Sequence, residues 1–274
     1  MSYICKCDVI TDIQYGDVMD FNLIPLLTTY DSISLEEMGK VRLMNRVDTK
    51  YVVSLPLLEE LLRRGAGHYR VQEVDGERMP LYRTTYMETS DYAMYKAHLC
   101  GKKCREKIRV RTYDVSGISF LEVKNKSNKG RTKKKRIQVQ NRSTLGQDGG
   151  NDFLRQYAWY GLDDLSFHLE NAFNRITLVD NGMRERLTID LGLRFHNLRT
   201  GHDVGLERLA IVELKRAGKT YSKMAEIMKE LRVQPCGFSK YCIGTALTSP
   251  DLKQNRFKPK LRMAEKLMNR KLLT

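Results

Sequence analysis

Two-residue alternation of charged and apolar side chains, repeated in seven stretches, limits the folding of this chain more than any other feature. Lys107-Ile-Arg-Val-Arg-Thr-Tyr113 sets Lys107, Arg109, Arg111 and Tyr113 on one side and Ile108, Val110 and Thr112 on the other. Successive side chains point to opposite faces in a β-strand, whereas on a helix this pattern would scatter charge around the axis. Phe120 to Lys126 repeats the design with Glu122, Lys124 and Lys126 together, and Asp114-Val-Ser-Gly117 between the two reads as a hairpin turn. Lys134, Arg136 and Gln138 alternate with Lys135, Ile137 and Val139. Further along, Arg184, Arg186, Thr188 and Asp190 share a face, as do Glu213 with Lys215, Arg175 with Thr177, and Arg46 with Asp48 and Lys50.

A sheet with one face in water accounts for any one of these strands. Taken together, the polar faces are dominated by Lys and Arg with single carboxylates inserted, and neighbouring like charges repel unless an anion sits among them. The pattern therefore points to a shared polyanion. Concentrating that charge calls for closure, so the expected fold is α+β: a closed antiparallel eight-stranded β-barrel with flanking α-helices. Amphipathic helices are expected from Leu55 to Arg64, with Pro56 in the first turn, and over Asn151–Trp159 and Tyr221–Leu231.

The charge is concentrated rather than spread. Of 48 basic and 33 acidic residues, net +15, residues 96–136 hold fifteen of the bases and only three of the acids. An excess of this kind suits nucleic acid, anionic lipid or phosphate compounds. No apolar run approaches the ~18 residues of a membrane span, and no basic start followed by an apolar stretch marks a secretory signal, so a cytoplasmic address is expected. The six cysteines form three loose pairs without zinc-site spacing, which fits reduced thiols.

Arg46…Lys50-Tyr51, Thr85-Tyr-Met-Glu-Thr89, Arg105-x-Lys107-x-Arg109-x-Arg111-x-Tyr113, Leu121-Glu-Val-Lys124, Arg175, Arg186-x-x-x-Asp190, Val212-Glu-Leu-Lys215 and Phe238-Ser-Lys-Tyr241 occur in that order. The ordered set resembles the polyphosphate polymerase domain of the vacuolar transporter chaperone (VTC) complex, within the triphosphate tunnel metalloenzyme superfamily. It departs from that pattern at Met87-Glu88, where the family has Phe-Asp, and at Phe173, where a tyrosine is usual. The resemblance implies an eight-stranded tunnel with basic walls and Mn²⁺ or Mg²⁺ held by Glu213, with Glu122 and Asp190 as further acids. Its lining would include Lys50, Arg109, Arg111, Arg186 and Lys240 as catalytic residues. Arg46, Lys107, Lys124, Lys126, Lys134, Arg136, Arg175 and Lys215 would bind phosphate.

The implied activity is transfer of the γ-phosphate of ATP to a growing polyphosphate, so ATP, triphosphate and polyphosphate are the expected partners. Three rivals remain open: hydrolysis of inorganic triphosphate, a silent phosphate sensor, and an RNA-binding β-domain with Tyr113 and Tyr241 as stacking platforms. Interleaved Glu122, Asp190 and Glu213 argue against nucleic acid. The expected organisation is an N-terminal segment over 1–35, serving as a flap or partner surface, and the tunnel domain over 36–248. Residues 249–274 form a basic amphipathic tail, with Leu261, Ala264, Leu267 and Met268 at helical spacing, that either touches an anionic membrane or partner or caps the domain.

Overall fold

In the computed structural model, residues 22–39, 46–218 and 220–272 are described. In chain order the helices and strands are α1 (Ile24–Leu27), β1 (Ser32–Ile33), α2 (Leu35–Gly39), β2 (Arg46–Ser54), α3 (Leu55–Gly65), β3 (Tyr69–Gln72), β4 (Leu81–Thr89), α4 (Ala93–Leu99), β5 (Arg105–Tyr113), β6 (Ile118–Lys126) and β7 (Thr132–Val139). They continue with α5 (Gly150–Tyr157), β8 (Leu165–Asp180), β9 (Glu185–Asn197), β10 (Asp203–Ala217), α6 (Lys223–Glu230), α7 (Lys240–Thr248) and α8 (Lys258–Met268). Every alternating stretch in the sequence is a strand, and the three expected helices are α3, α5 and α6.

The main path of the sheet runs β2-β10-β9-β8-β4-β5-β6-β7, antiparallel throughout, with β3 attached to β8 and β1 to β3. It is strongly curled. Lys107 on β5 feels the charge of Lys50 on β2, and Lys124 on β6 that of Glu213 on β10, although these strands are far apart in hydrogen-bonded order. The expected closure of the barrel is not found: β2 and β7 end the path and form no ladder with each other. Two features oppose it. The Cys236 N–H donates to the Lys50 carbonyl at 2.7 Å, which occupies part of the β2 edge. The β7 edge exposes Lys133, Lys134, Lys135 and Arg136, and such a row of charge resists pairing with another strand.

Three apolar clusters position the charged inner face. Outside β2, β8, β9 and β10, the side chains of Tyr51, Val53, Leu178, Leu187 and Val212 pack under α3 and α6. Leu58 and Leu62 of α3 are wholly buried there, each contributing about 1.5–3 kcal/mol. Outside β5, β6 and β7, Ile108, Val110, Leu121 and Val123 meet Phe153 and Leu154 of α5. The third cluster lies inside the curl, where Val52, Phe173, Phe195, Leu209 and Ile211 pack against α7 and α8. Gly244 permits the close approach of α7: a Cβ there would stand 2.4 Å from the Phe195 ring.

The tail is thus a capping helix. Leu261, Ala264 and Met268 of α8 are buried in the inner cluster, so the apolar face that could have met a membrane or partner is already covered. Similarly, Leu23 and Leu27 join the cluster beneath α3 and are core residues, not a flap; residues 1–21 of that expectation lie outside the described residues. No described helix is long and apolar enough to cross a membrane.

Candidate active site

Strand register brings the cations together in rows. Arg109 lies beside Glu122 and Glu122 beside Arg136, while Lys107, Lys124 and Lys134 form the next row. On the opposite wall Lys50 pairs with Glu213, Lys215 with Asp48 and Arg186, and Arg175 with Asp190. Lys240 arrives from the first turn of α7, whose N-cap Ser239 accepts the Cys242 N–H at 3.3 Å. Lys107 donates to that same Ser239 hydroxyl at 2.8 Å, tying β5 to the start of the helix. The positive end of the α7 dipole therefore adds to the field of the side chains.

Each inner carboxylate stands between two cations. Glu122 takes Arg109 Nη2 at 2.6 Å and Nε at 2.7 Å, and Lys134 on its other oxygen. Asp190 accepts a bidentate pair from Arg175 at 2.6 and 2.8 Å and a further contact from Lys240. Glu213 bridges Lys50 at 2.5 Å and Lys215 at 2.8 Å. Burial alone would raise these acids, but the adjoining cations outweigh it and hold all three well below the usual carboxylate range, Glu122 at about 2.

The remaining cations have no carboxylate within ion-pair distance among the described residues. Arg111 is buried and donates only to Thr84 Oγ1 at 3.2 Å; burial, then Arg109 and Arg175, push its guanidinium down to about 10. Arg109, then burial and Arg111, drive the Lys124 ammonium well below its ordinary value. Burial lowers Lys107, and burial with Arg46 and Arg175 lowers Arg186, whose Nε is buried without a hydrogen-bond partner. Lys126 and Arg136 likewise lack a carboxylate partner. Uncompensated charges held this closely destabilise a protein unless an anion neutralises them, and Arg and Lys are suited to the oxygens of phosphate.

The VTC domain profile matches residues 45–249. The chain belongs to the VTC domain family. No curated protein matches it. Solved structures similar to this VTC domain include an adenylate cyclase candidate from Vibrio parahaemolyticus, at 11% identity and TM-score 0.42, over 74% of this chain and 99% of that one. A Hippeastrum protein described as an adenylyl cyclase candidate with dominant triphosphatase activity is 12% identical at TM-score 0.42, covering 74% and 96%. A conserved hypothetical protein of Pyrococcus furiosus is 12% identical at TM-score 0.39, covering 70% and 97%.

In this VTC domain the inner face of the curled sheet brings most of the expected residues together, with Arg46 at its rim, exposed and paired to Asp48 at 2.5 Å. The three acids expected around a metal are not brought together, and among the described residues no three His, Cys, Asp or Glu side chains converge. Glu122 is fully buried and Asp190 nearly so, each committed to its two cations, whereas the Glu213 side chain is 20% exposed. This donor set does not fit a cage of three acids. Glu213 is the one of the three that a hard cation could reach, and it would have to displace Lys50 or Lys215 from its oxygens and take its other ligands from phosphate and water.

Sequence reasoning missed the aromatic platform. Arg175 lies 4.9 Å from the Tyr82 ring centroid, Lys240 3.7 Å from that of Phe173 and Arg136 4.3 Å from that of Phe120. These rings hold cations where water would otherwise do so. Their signal was present: Tyr82, Phe120 and Phe173 share strand parity with the basic rows. Glu88 is a scaffold residue, fully buried, accepting the Met94 and Tyr95 N–H groups of α4 at 3.1 and 2.9 Å and the Tyr241 hydroxyl. Tyr241 is consequently buried and unavailable for stacking a base, and Tyr113 is half-buried against Tyr82.

Proposed function

We propose that this VTC domain is a phosphotransferase that moves the γ-phosphate of ATP onto the end of a polyphosphate chain. The observation that carries this reading is the group of cations without a carboxylate partner among the described residues, the buried Arg111 and the half-buried Lys107, Lys124 and Arg186, whose charge a bound triphosphate would balance. Phosphoryl transfer asks the protein for alignment and charge stabilisation more than for covalent chemistry. A terminal phosphate oxygen attacks the γ-phosphorus as the bond to the β,γ-bridging oxygen breaks, and the electron pair leaves with ADP. Arg109, Arg111, Arg175 and Arg186 would grip equatorial oxygens, with Lys50, Lys124 and Lys240 supplying point charges. Phosphate binding would raise the depressed lysines and keep them protonated.

A phosphate acceptor is already ionised, so the transfer needs no general base. That suits a site whose three carboxylates are held strongly acidic and whose hydrogen-bonded set includes no histidine among the described residues. Glu213 would hold Mg²⁺ or Mn²⁺, which would neutralise charge developing on the transferred phosphate. One observation favours a second reading, hydrolysis of a short triphosphate: α7 and α8 fill the inner face beside β8, β9 and β10, leaving less axial room for a long chain.

Incubation of the protein with ATP and Mn²⁺, with products resolved on gels and free phosphate assayed, separates the two. Ladders of long chains support transfer. Orthophosphate from triphosphate without ladders replaces it with hydrolysis, and no turnover with folded protein removes both.

A further inference from the structure

The basic residues do not stop at the pocket. On β6 and β7 they continue from the Lys124–Lys134 row to Lys126, which lies beside Thr132 in register. Beyond it is the hairpin tip, where the Ser127 N–H donates to the Arg131 carbonyl at 2.8 Å and Gly130, at φ 78°, makes the reversal. Lys129 and Arg131 at this tip, and Lys133 just past it, are exposed and have no carboxylate partner among the described residues. An isolated surface cluster of this sort would usually collect an acidic neighbour or be diluted by neutral residues.

The filled interior gives this path a purpose. Because α7 and α8 occupy the inner face beside β8, β9 and β10, a chain held in the pocket has no straight course along that side. Among the described residues the inner cluster under α7 and α8 includes no side chain of β6 or β7, and β7 is the open end of the strand order. Cations therefore run from the half-buried Lys124 and Lys126 to the exposed Lys129 and Arg131 of the tip, whereas Lys133, beside Asn125 in register, faces the outer side.

We propose that the β6–β7 hairpin is an external track for a linear polyphosphate, holding the phosphates that extend beyond the inner basic row through Lys126, Lys129 and Arg131. This rests on the pocket being a triphosphate site, and it predicts a chain-length preference that the pocket alone does not confer. The ligand contacts are charge contacts to an extended polyanion, so they are additive and salt-dependent.

The test compares binding of tripolyphosphate and of long-chain polyphosphate to the full chain, by calorimetry at two salt concentrations. The variant is Lys129→Ala/Arg131→Ala, both at exposed positions, with its fold checked by thermal unfolding. The track predicts that the wild type prefers the long chain, and that the variant loses about tenfold or more of that affinity and part of its salt dependence. Its affinity for tripolyphosphate stays the same. An unchanged long-to-short ratio in the variant overturns the track. Wild-type protein that binds long chains but not tripolyphosphate sinks the pocket reading while leaving the hairpin's effect measurable. A single-stranded RNA homopolymer bound as tightly as polyphosphate, and lost equally in the variant, overturns the assignment to polyphosphate.

Discussion

On the β8–β9–β10–β2 side of the curled sheet, two inner carboxylates, Asp190 and Glu213, and the rim acid Asp48 face five cations; on the β5–β6–β7 side one carboxylate, Glu122, faces seven. The first wall is organised by its own ion pairs and keeps its shape without ligand. The second is short of counter-charge: burial, then Arg109 and Arg175, lower Arg111, and Arg109, then burial and Arg111, lower the half-buried Lys124. Preorganisation and anion demand are thus divided between two parts of the inner face of one curled sheet. The first wall holds still, and the second supplies the field.

Glu122→Ala tests the division most severely, because it strands Arg109 and Lys134 beside an already overcharged wall. A loss of about 3–5 kcal/mol in urea unfolding is expected, against about 1 kcal/mol for Glu213→Ala at its partly open position. Equal losses would erase the contrast. Arg111→Ala should lower turnover about 10²–10³-fold while leaving the unfolding midpoint unchanged or raised, since the cation removed has no carboxylate partner. A clearly lower midpoint would mean that Arg111 is part of the scaffold.

Acid sharpens the comparison by separating floor from walls. His168 is fully buried, hydrogen-bonded to Thr245, and pushed by burial and then Arg199 down to about 4. A folded pKa below the unfolded ~6.5 means that the unfolded state binds the proton first, so this stability is complete above pH 6.5 and lost as pH falls toward 4. The full loss is roughly 3 kcal/mol. The carboxylate pairs follow lower, Glu122 giving way between about 4.5 and 2. Denaturant midpoints against pH should show a smaller first phase in His168→Gln, the remainder belonging to His98, which burial lowers to about 3, and an unchanged second phase.

Tripolyphosphate at about a hundred times its Kd should stabilise the wild type by about 2.7 kcal/mol, with little gain in a Lys124→Ala/Arg111→Ala protein. The smallest effect belongs to the rim, where Arg46→Ala should cost under about 1 kcal/mol and leave the tripolyphosphate gain intact.

What the chain determines alone is every strand of the charged face and which residues share it, because alternation is a local property with a period of two. Lys107, Arg109 and Arg111 face the same way whatever β5 pairs with. The helix α7 escaped that reasoning: Lys240–Thr248 is buried on nearly all sides, so its pattern shows no preferred face and no sign that it enters the curl. Closure was misjudged for a related reason. Whether β2 meets β7 depends on long-range competition, and the Cys236 N–H on one edge and the lysines of the other decide it. Likewise, the pairing of each acid with two cations, which makes counter-ions of Glu122, Asp190 and Glu213 and leaves only Glu213 part-exposed, is set by contacts between segments up to ~160 residues apart. No local period encodes that distance.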